Sequence, residues 1–177
     1  LSAEPQGLNE ALITGGIPSL TRPAEDVYRA TYPRVAEKNH RYYQRYPEDE
    51  ALVAEIVRHL LSHDIRLPSG GRLTAQRFQQ LGLQFGMSDG FEAIHYLLEE
   101  AFVAGASGRE INWNFLFHLE RLQSFDTNPI FSILHEAIYA DGEARTDWSA
   151  ERLRAEFPEF GSARRPLLFT GEMIYPW

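Results

Sequence analysis

Apolar residues recur three and four apart over much of the 177-residue chain, the spacing of helices with one buried face. The clearest helix is predicted from Glu48 to His63, where Leu52, Val53, Ile56, Val57, Leu60 and Leu61 form one stripe. Acidic Glu48, Asp49 and Glu50 suit its N-terminus, and His59 and His63 its C-terminal dipole. Upstream, helix formers dominate from Ala24 to Tyr46, with Pro33 predicting a kink or break. Downstream, Thr74 is placed to cap a short helix over 75–81. Ser88 or Asp89 starts another, Asp89 and Glu92 resembling a capping box, with Phe91, Ile94, Leu97, Leu98 and Phe102 along one side. A helix over 112–123 turns Phe115, Leu116, Leu119 and Leu122 inward. Asn128-Pro129 opens a helix that Ile130, Ile133, Leu134, Ala137 and Ile138 continue, and Asp147 caps one running to about Phe157.

Gly and Pro mark what lies between. Residues 65–73 read as a small hairpin around Ser69-Gly70-Gly71, 105–108 as a loop and 141–145 as a turn. Glu10 to Thr14 forms at most one short strand, and the block from Pro166 to Trp177 is apolar without a period. The pattern gives about seven helices and an all-α fold class.

Composition narrows the function. With 17 Lys and Arg against 25 Asp and Glu, the net charge of −8 argues against a nucleic-acid partner, whose phosphates require a basic surface. The absence of Cys excludes disulfides, thiol nucleophiles and thiolate metal sites. No apolar run approaches the ~20 residues of a bilayer crossing, and no signal peptide is evident, so the expectation is a cytoplasmic chain with no membrane partner. Leu1 is not an initiator Met and the last residues are apolar, which leads to the expectation of an excised segment.

Several strings hint at chemistry. Gly86-Met-Ser88-Asp-Gly90 matches the G-x-S-x-G nucleophile elbow, with Asp126 and His135 downstream in hydrolase order. The elbow needs a preceding strand, and 81–85 makes a poor one; Ser88 and Asp89 read more plainly as a helix cap. His135-Glu136-Ala-Ile-Tyr139 begins like H-E-x-x-H but puts Tyr139 where the second zinc ligand belongs. Glu136 itself interrupts an apolar stretch. It is either on the wet side of its helix or a carboxylate that must find a partner. His59 and His63, one turn apart, are a possible metal pair or a solvated last turn. The aromatic, basic run 39–46 and the helix-turn-helix-like run 73–81 lack the surrounding positive charge that nucleic acid demands. No metal or cofactor is expected.

Other strings run through the chain in order: Thr14-Gly-Gly-Ile-Pro18, Asp26-Val-Tyr-Arg-Ala-Thr-Tyr32, and His63-Asp-Ile-Arg-Leu-Pro-Ser-Gly-Gly-Arg-Leu-Thr74. Further along come Tyr96-Leu-Leu-Glu-Glu-Ala-Phe102, Phe125-Asp-Thr-Asn-Pro-Ile130, Ile133-Leu-His-Glu-Ala-Ile-Tyr139, Ala150-Glu-Arg-Leu-Arg-Ala-Glu-Phe157 and Phe169-Thr-Gly-Glu-Met-Ile-Tyr-Pro-Trp177. Taken together, they resemble proline iminopeptidases of the larger-chain type, in the α/β-hydrolase superfamily. The resemblance implies a mainly helical cap domain over residues 19–165, preceded by a remnant of the α/β core in 1–18 and followed by a return segment in 166–177. It places the catalytic Ser, Asp and His outside this chain, so the chain alone holds no catalytic residue. The partners it implies are the catalytic α/β core of the same protein and a peptide with an N-terminal proline; the oligomeric state stays open.

By the same resemblance, Glu136 in the string Glu-x-x-Tyr reads the substrate's secondary ammonium through charge-assisted hydrogen bonds, supported by Tyr139. Glu172 is a second carboxylate for the same cation. Ile17, Pro18, Tyr175 and Trp177 are candidate walls for the pyrrolidine ring, although relatives place an aromatic where Pro18 stands. The competing reading is a stand-alone helical interaction module that binds a partner through the apolar tail after Pro166.

Overall fold

The computed structural model describes residues 5–7, 9–10, 12, 14–16, 22–106, 108–123, 125, 127–140 and 145–177. Their architecture is mainly helical. Helix α1 spans Ala24–Arg45, α2 Asp49–Ser62, α3 Ala75–Gln79, α4 Gly90–Glu99, α5 Trp113–Leu122, α6 Pro129–Leu134 and α7 Ser149–Leu153. A seven-residue 3-10 helix fills Gln80–Gly86, and shorter ones Pro5–Gly7, Glu136–Tyr139, Arg154–Glu156 and Pro158–Phe160. The expected strand 10–14, the wall residues Ile17 and Pro18, Asp126 and most of the turn 141–145 lie wholly or partly outside the described residues.

Helix α1 runs unbroken through Pro33, so of the kink or break expected there the break does not occur. Proline in a helix interior costs about 3 kcal/mol locally. Here Pro33 lies on the exposed face, while Tyr28, Tyr32, Val35, Asn39 and Tyr42 are buried along the other. Packing of that face outweighs the lost hydrogen bond. The α2 stripe is as expected at Val53, Ile56, Val57 and Leu60, but Leu61 points to solvent.

Two clusters make up the interior. The larger joins α2, α3, α4 and α5 around Ile56, Phe78, Leu81, Leu98 and Phe115. The smaller joins the first half of α1 to α7 through Tyr28, Tyr32, Ala150, Leu153 and Phe160. The C-terminal segment threads both, giving Leu167 and Phe169 to the first and Leu168, Met173 and Tyr175 to the second. The apolar tail is therefore core, and its use as a partner-binding surface is excluded.

This segment is extended yet pairs with no strand, so its backbone groups must be satisfied otherwise. Side chains do it. The buried amide of Asn39 donates to Phe169 O at 2.8 Å and accepts from Phe169 N at 2.7 Å, as a strand partner would. Gln79 Nε2 donates to Leu168 O at 2.8 Å and Phe160 O at 3.0 Å, and Tyr43 Oη to Leu167 O at 2.7 Å. Gly82 allows the close approach, because a Cβ there would strike the carbonyl of Thr170.

Local differences have local causes. The only sheet among the described residues is the antiparallel pair β1 Phe102–Gly105 and β2 Gly108–Ile111, pairing Phe102 with Ile111. Phe102 thus belongs to a strand rather than to α4, and the loop expected at 105–108 is the tip of this hairpin. Gly108, at φ +128°, makes the reversal possible. Residues 65–73 do fold back, but through a single bridge between Arg66 and Arg72. Thr74 caps α3 and Asn112 caps α5 through their side chains. Asp89 makes no side-chain cap bond on α4, so the expected capping box does not form. The helix expected from 128 to 138 stops at Leu134, and a 3-10 turn follows. The expected cap by Asp147 is also absent. Trp148 holds the N-cap position of α7 and the helix yields to a 3-10 turn after five residues.

Candidate functional site

Glu136 is 4% exposed, in the 3-10 turn that follows α6. A buried carboxylate requires donors, and it has them. Oε1 accepts from Ser149 N at 2.8 Å and Oε2 from Ala150 N at 3.3 Å, so it caps the first turn of α7 from across the fold. The anion sits where helix amides lack partners and the dipole favours negative charge. Of the two readings open in the sequence, the partnered carboxylate is the observed one.

Its neighbours are tyrosines. The buried Tyr28 hydroxyl is driven well above the ordinary phenol range, first by burial and then by the charge of Glu136. Tyr28 meets Tyr139 edge-on, ring centroids 6.0 Å apart. The Tyr139 hydroxyl is raised by burial and next by the charge of Glu172, an exposed residue. Tyr28 thus links Glu136, whose charge it feels, to Tyr139, which it touches, while Glu172 acts on Tyr139 through its charge. His135, also buried, lies edge-on to Tyr139 at 6.2 Å.

Behind Glu136 the backbone takes an unusual turn that the residue pattern did not signal. Asp147 (φ 46°) and Trp148 (φ 55°) are consecutive non-glycine residues in the left-handed region. Such residues cost about 1–3 kcal/mol each and persist only where surrounding contacts hold them. Arg152 supplies several of those contacts. Its guanidinium donates to Thr146 O at 2.7 Å, Asp147 O at 3.2 Å and Ser149 Oγ at 3.1 Å, and pairs with Glu25. The turn sets the amides of Ser149 and Ala150 on Glu136 and makes Trp148 a partition between two cavities.

One cavity, of about 390 Å³, is lined by Ile133, Glu136, Ala137, Arg145, Asp147 and Trp148, among others. The other, of about 200 Å³, lies between Trp148 and the end of the chain, with Gln80, Phe125, Ser132, Tyr175 and Trp177 in its wall. Tyr175 and Trp177 stack at 4.5 Å and line this second cavity, not the one that Glu136 lines, so the structure does not bring these two expected walls to the Glu136 cavity.

The remaining candidates fall elsewhere. Ser88 is exposed in a turn after a 3-10 helix, with no strand before it, so the elbow geometry is missing. His59 and His63 stack face to face at 4.1 Å, and His63 Nδ1 is engaged with Ser62 Oγ and the His59 carbonyl. In the 39–46 run, Asn39 and Tyr42 are core while His40 and Arg41 are exposed. Among the described residues, Glu48, Asp49 and His95 are near enough together to hold a cation. However, Asp49 already accepts from Tyr42 and lies 3.1 Å from His95 Nδ1, with Tyr46 stacked on the imidazole at 3.9 Å. That cluster is a buried polar strut. No helix among the described residues is long and apolar enough to cross a membrane.

The class defined so far is a mainly helical domain with a buried carboxylate that caps a helix at the edge of a cavity. No protein-family model matches the chain. Over 178 aligned residues, covering all of this chain, it is 47% identical to a proline iminopeptidase of Aeromonas sobria. It is also 32% identical, over 99% of its length, to the proline iminopeptidase aneH of Aspergillus aculeatus. The chain covers 41% and 39% of these two proteins, and so spans about two fifths of the curated relatives it matches. It is similar from end to end to one segment of proline iminopeptidases.

Proposed function

We propose that this chain is the helical cap of a cytoplasmic serine aminopeptidase that releases N-terminal proline from peptides. The observation that carries the proposal is identity of 47% along the whole chain to part of such an enzyme. In this reading residues 1–18 belong to the catalytic α/β core, 19–165 form the cap and 166–177 return to the core. The nucleophile, acid and base lie in the remainder of the protein, and the cap alone is inactive.

The chemistry of Glu136 supports the assignment. A carboxylate has about four lone-pair sites, and two are taken by backbone amides that fix its position. The remaining lone pairs, beside the Tyr28 hydroxyl, serve the prolinium N–H donors, with Tyr139 in support and the exposed Glu172 as a second carboxylate for the same cation. Glu136 and Asp147 line the adjoining cavity together with Arg145, two carboxylates against one guanidinium. Helix α6 supports docking on a core: Ile130, Ile133 and Leu134 are 63%, 68% and 54% exposed, an apolar strip that another surface must cover.

The test is kinetic, in the full-length protein. Glu136→Gln keeps the shape and an acceptor for α7 but removes the charge. It should lower kcat/KM on a proline arylamide at least roughly tenfold, since breaking one side of a buried charge pair costs about 2–5 kcal/mol. Unchanged kinetics would remove Glu136 from substrate recognition.

A further inference from the structure

The cavity between Trp148 and Trp177 is walled by the aromatic side chains of Phe125, Trp148, Tyr175 and Trp177. Among the described residues that line it there is no carboxylate, and the charged one is Arg77. Its other polar members are Ser132 and Gln80. Gln80 is 3% exposed, and its Nε2 has no hydrogen-bond acceptor among the described residues. A buried amide N–H without an acceptor is costly, and the cavity it lines is where an acceptor would enter. The walls are rigid aromatic surfaces. Trp177 is pinned by its Nε1 donating to Glu151 at 2.7 Å, and Tyr175 by its hydroxyl bonded to Tyr32 at 2.9 Å. Trp148 is fixed by the left-handed turn clamped by Arg152.

We propose that this cavity is the subsite for the second residue of the peptide, the one released with a new N-terminus, and that it favours an aromatic side chain there. This rests on the aminopeptidase reading above. A peptide carries its cation at one end and carbonyl oxygens from there on. Trp148 lines both cavities: Glu136 and Asp147, with Arg145, lie in the wall of one, and the unpartnered amide of Gln80 lies in the wall of the other. At about 200 Å³ the space is below the ~300–1,000 Å³ of sites for drug-sized ligands, and so it is sized for one residue. The side chain lies against the indoles of Trp148 and Trp177, and the residue's carbonyl accepts from Gln80 Nε2.

The experiment compares prolyl-phenylalanine amide, prolyl-glycine amide and a proline arylamide as substrates of the full-length protein. The phenylalanine peptide should exceed the glycine peptide in kcat/KM by roughly tenfold or more, the scale of filling a hydrophobic subsite. Trp148→Ala should shrink that ratio. Gln80→Leu should cut the phenylalanine peptide relative to the arylamide, which has no such carbonyl, by roughly tenfold for one lost hydrogen bond to a buried donor. Because Gln80→Leu removes an unpaired polar group, its Tm should hold or rise. Equal rates on the two peptides, or a Gln80→Leu variant with a lowered Tm and an unchanged ratio, overturn the subsite. Failure of the full-length protein to cleave any of the three overturns the aminopeptidase reading instead.

Discussion

Helices α2 and α6 are both written with apolar residues at helical spacing, yet they have opposite fates. In α2, Val53, Ile56, Val57 and Leu60 sit in the larger core cluster. In α6 no residue is buried, and its aliphatic side chains face outward. The contrast extends to the parts of the chain around them. The region from α2 to α5 is held by aliphatic and aromatic packing behind helices capped by their own neighbours, as at Thr74 and Asn112. The region around α7 is held by long-range polar clamps: Glu136 on α7, Arg152 on the left-handed turn, and Asn39 and Gln79 on the C-terminal segment. An apolar period thus says that a face needs cover but not whose. Irregular backbone, for its part, needs specific polar partners wherever it is buried.

The largest effect expected across both regions is alkaline unfolding. Burial raises the hydroxyls of Tyr28, Tyr32, Tyr42 and Tyr175, that of Tyr32 to about 12 and the others further. A pKa raised by folding means that the folded state favours the neutral phenol. The contribution is complete below the unfolded value of about 10 and is lost as pH rises from there through 12. Circular dichroism between pH 9 and 12 should show cooperative loss of helix in step with tyrosinate absorbance; titration of these phenols near pH 10 with the fold intact would break the account.

Next in size is Ile56→Ala in α2, which should lose about 2–5 kcal/mol in denaturant unfolding by opening a cavity in the core. Glu136→Ala should cost about 2–4 kcal/mol, from two hydrogen bonds to a charged acceptor. It should do so in the isolated chain with no substrate present, and Glu136→Gln should cost less. Equal stability of Glu136→Ala and the parent would mean that the clamp on α7 contributes nothing. The smallest effect belongs to Ile133→Ala in α6, within about 0.5 kcal/mol in the isolated chain because the side chain is exposed. In the full-length protein the same change should cost 1 kcal/mol or more, at ~25 cal/mol per Å² of apolar surface covered. A small effect in both settings would leave α6 without a covering partner.

How much of this could be read from the sequence follows the same division. Elements whose information is local were legible: the α2 stripe, the Thr74 cap and the inward face of α5. The mainly helical class followed from them. Glu136 was legible as an anomaly, a carboxylate in an apolar run, and its role came by resemblance; its bond to the amides of α7 joins residues 13 and 14 positions away and leaves no periodic trace. Trp148 and Arg152 were missed for the same reason. The one available signal was a tryptophan directly before a helix, where Asp147 looked the better cap. At Pro33 the helix does not break, because tertiary packing outweighs the lost hydrogen bond. The 102–111 hairpin was missed because Phe102 and Val103 continue the apolar run of α4, and only the β-branched Val103 and Ile111 with glycines between them mark it.

The most direct measurement is hydrolysis of a proline arylamide by this 177-residue chain and by the full-length protein, side by side. The account predicts turnover by the full-length protein alone, with Glu136→Gln depressing it. Turnover by the 177 residues would contradict it, since that would put a nucleophile within this chain.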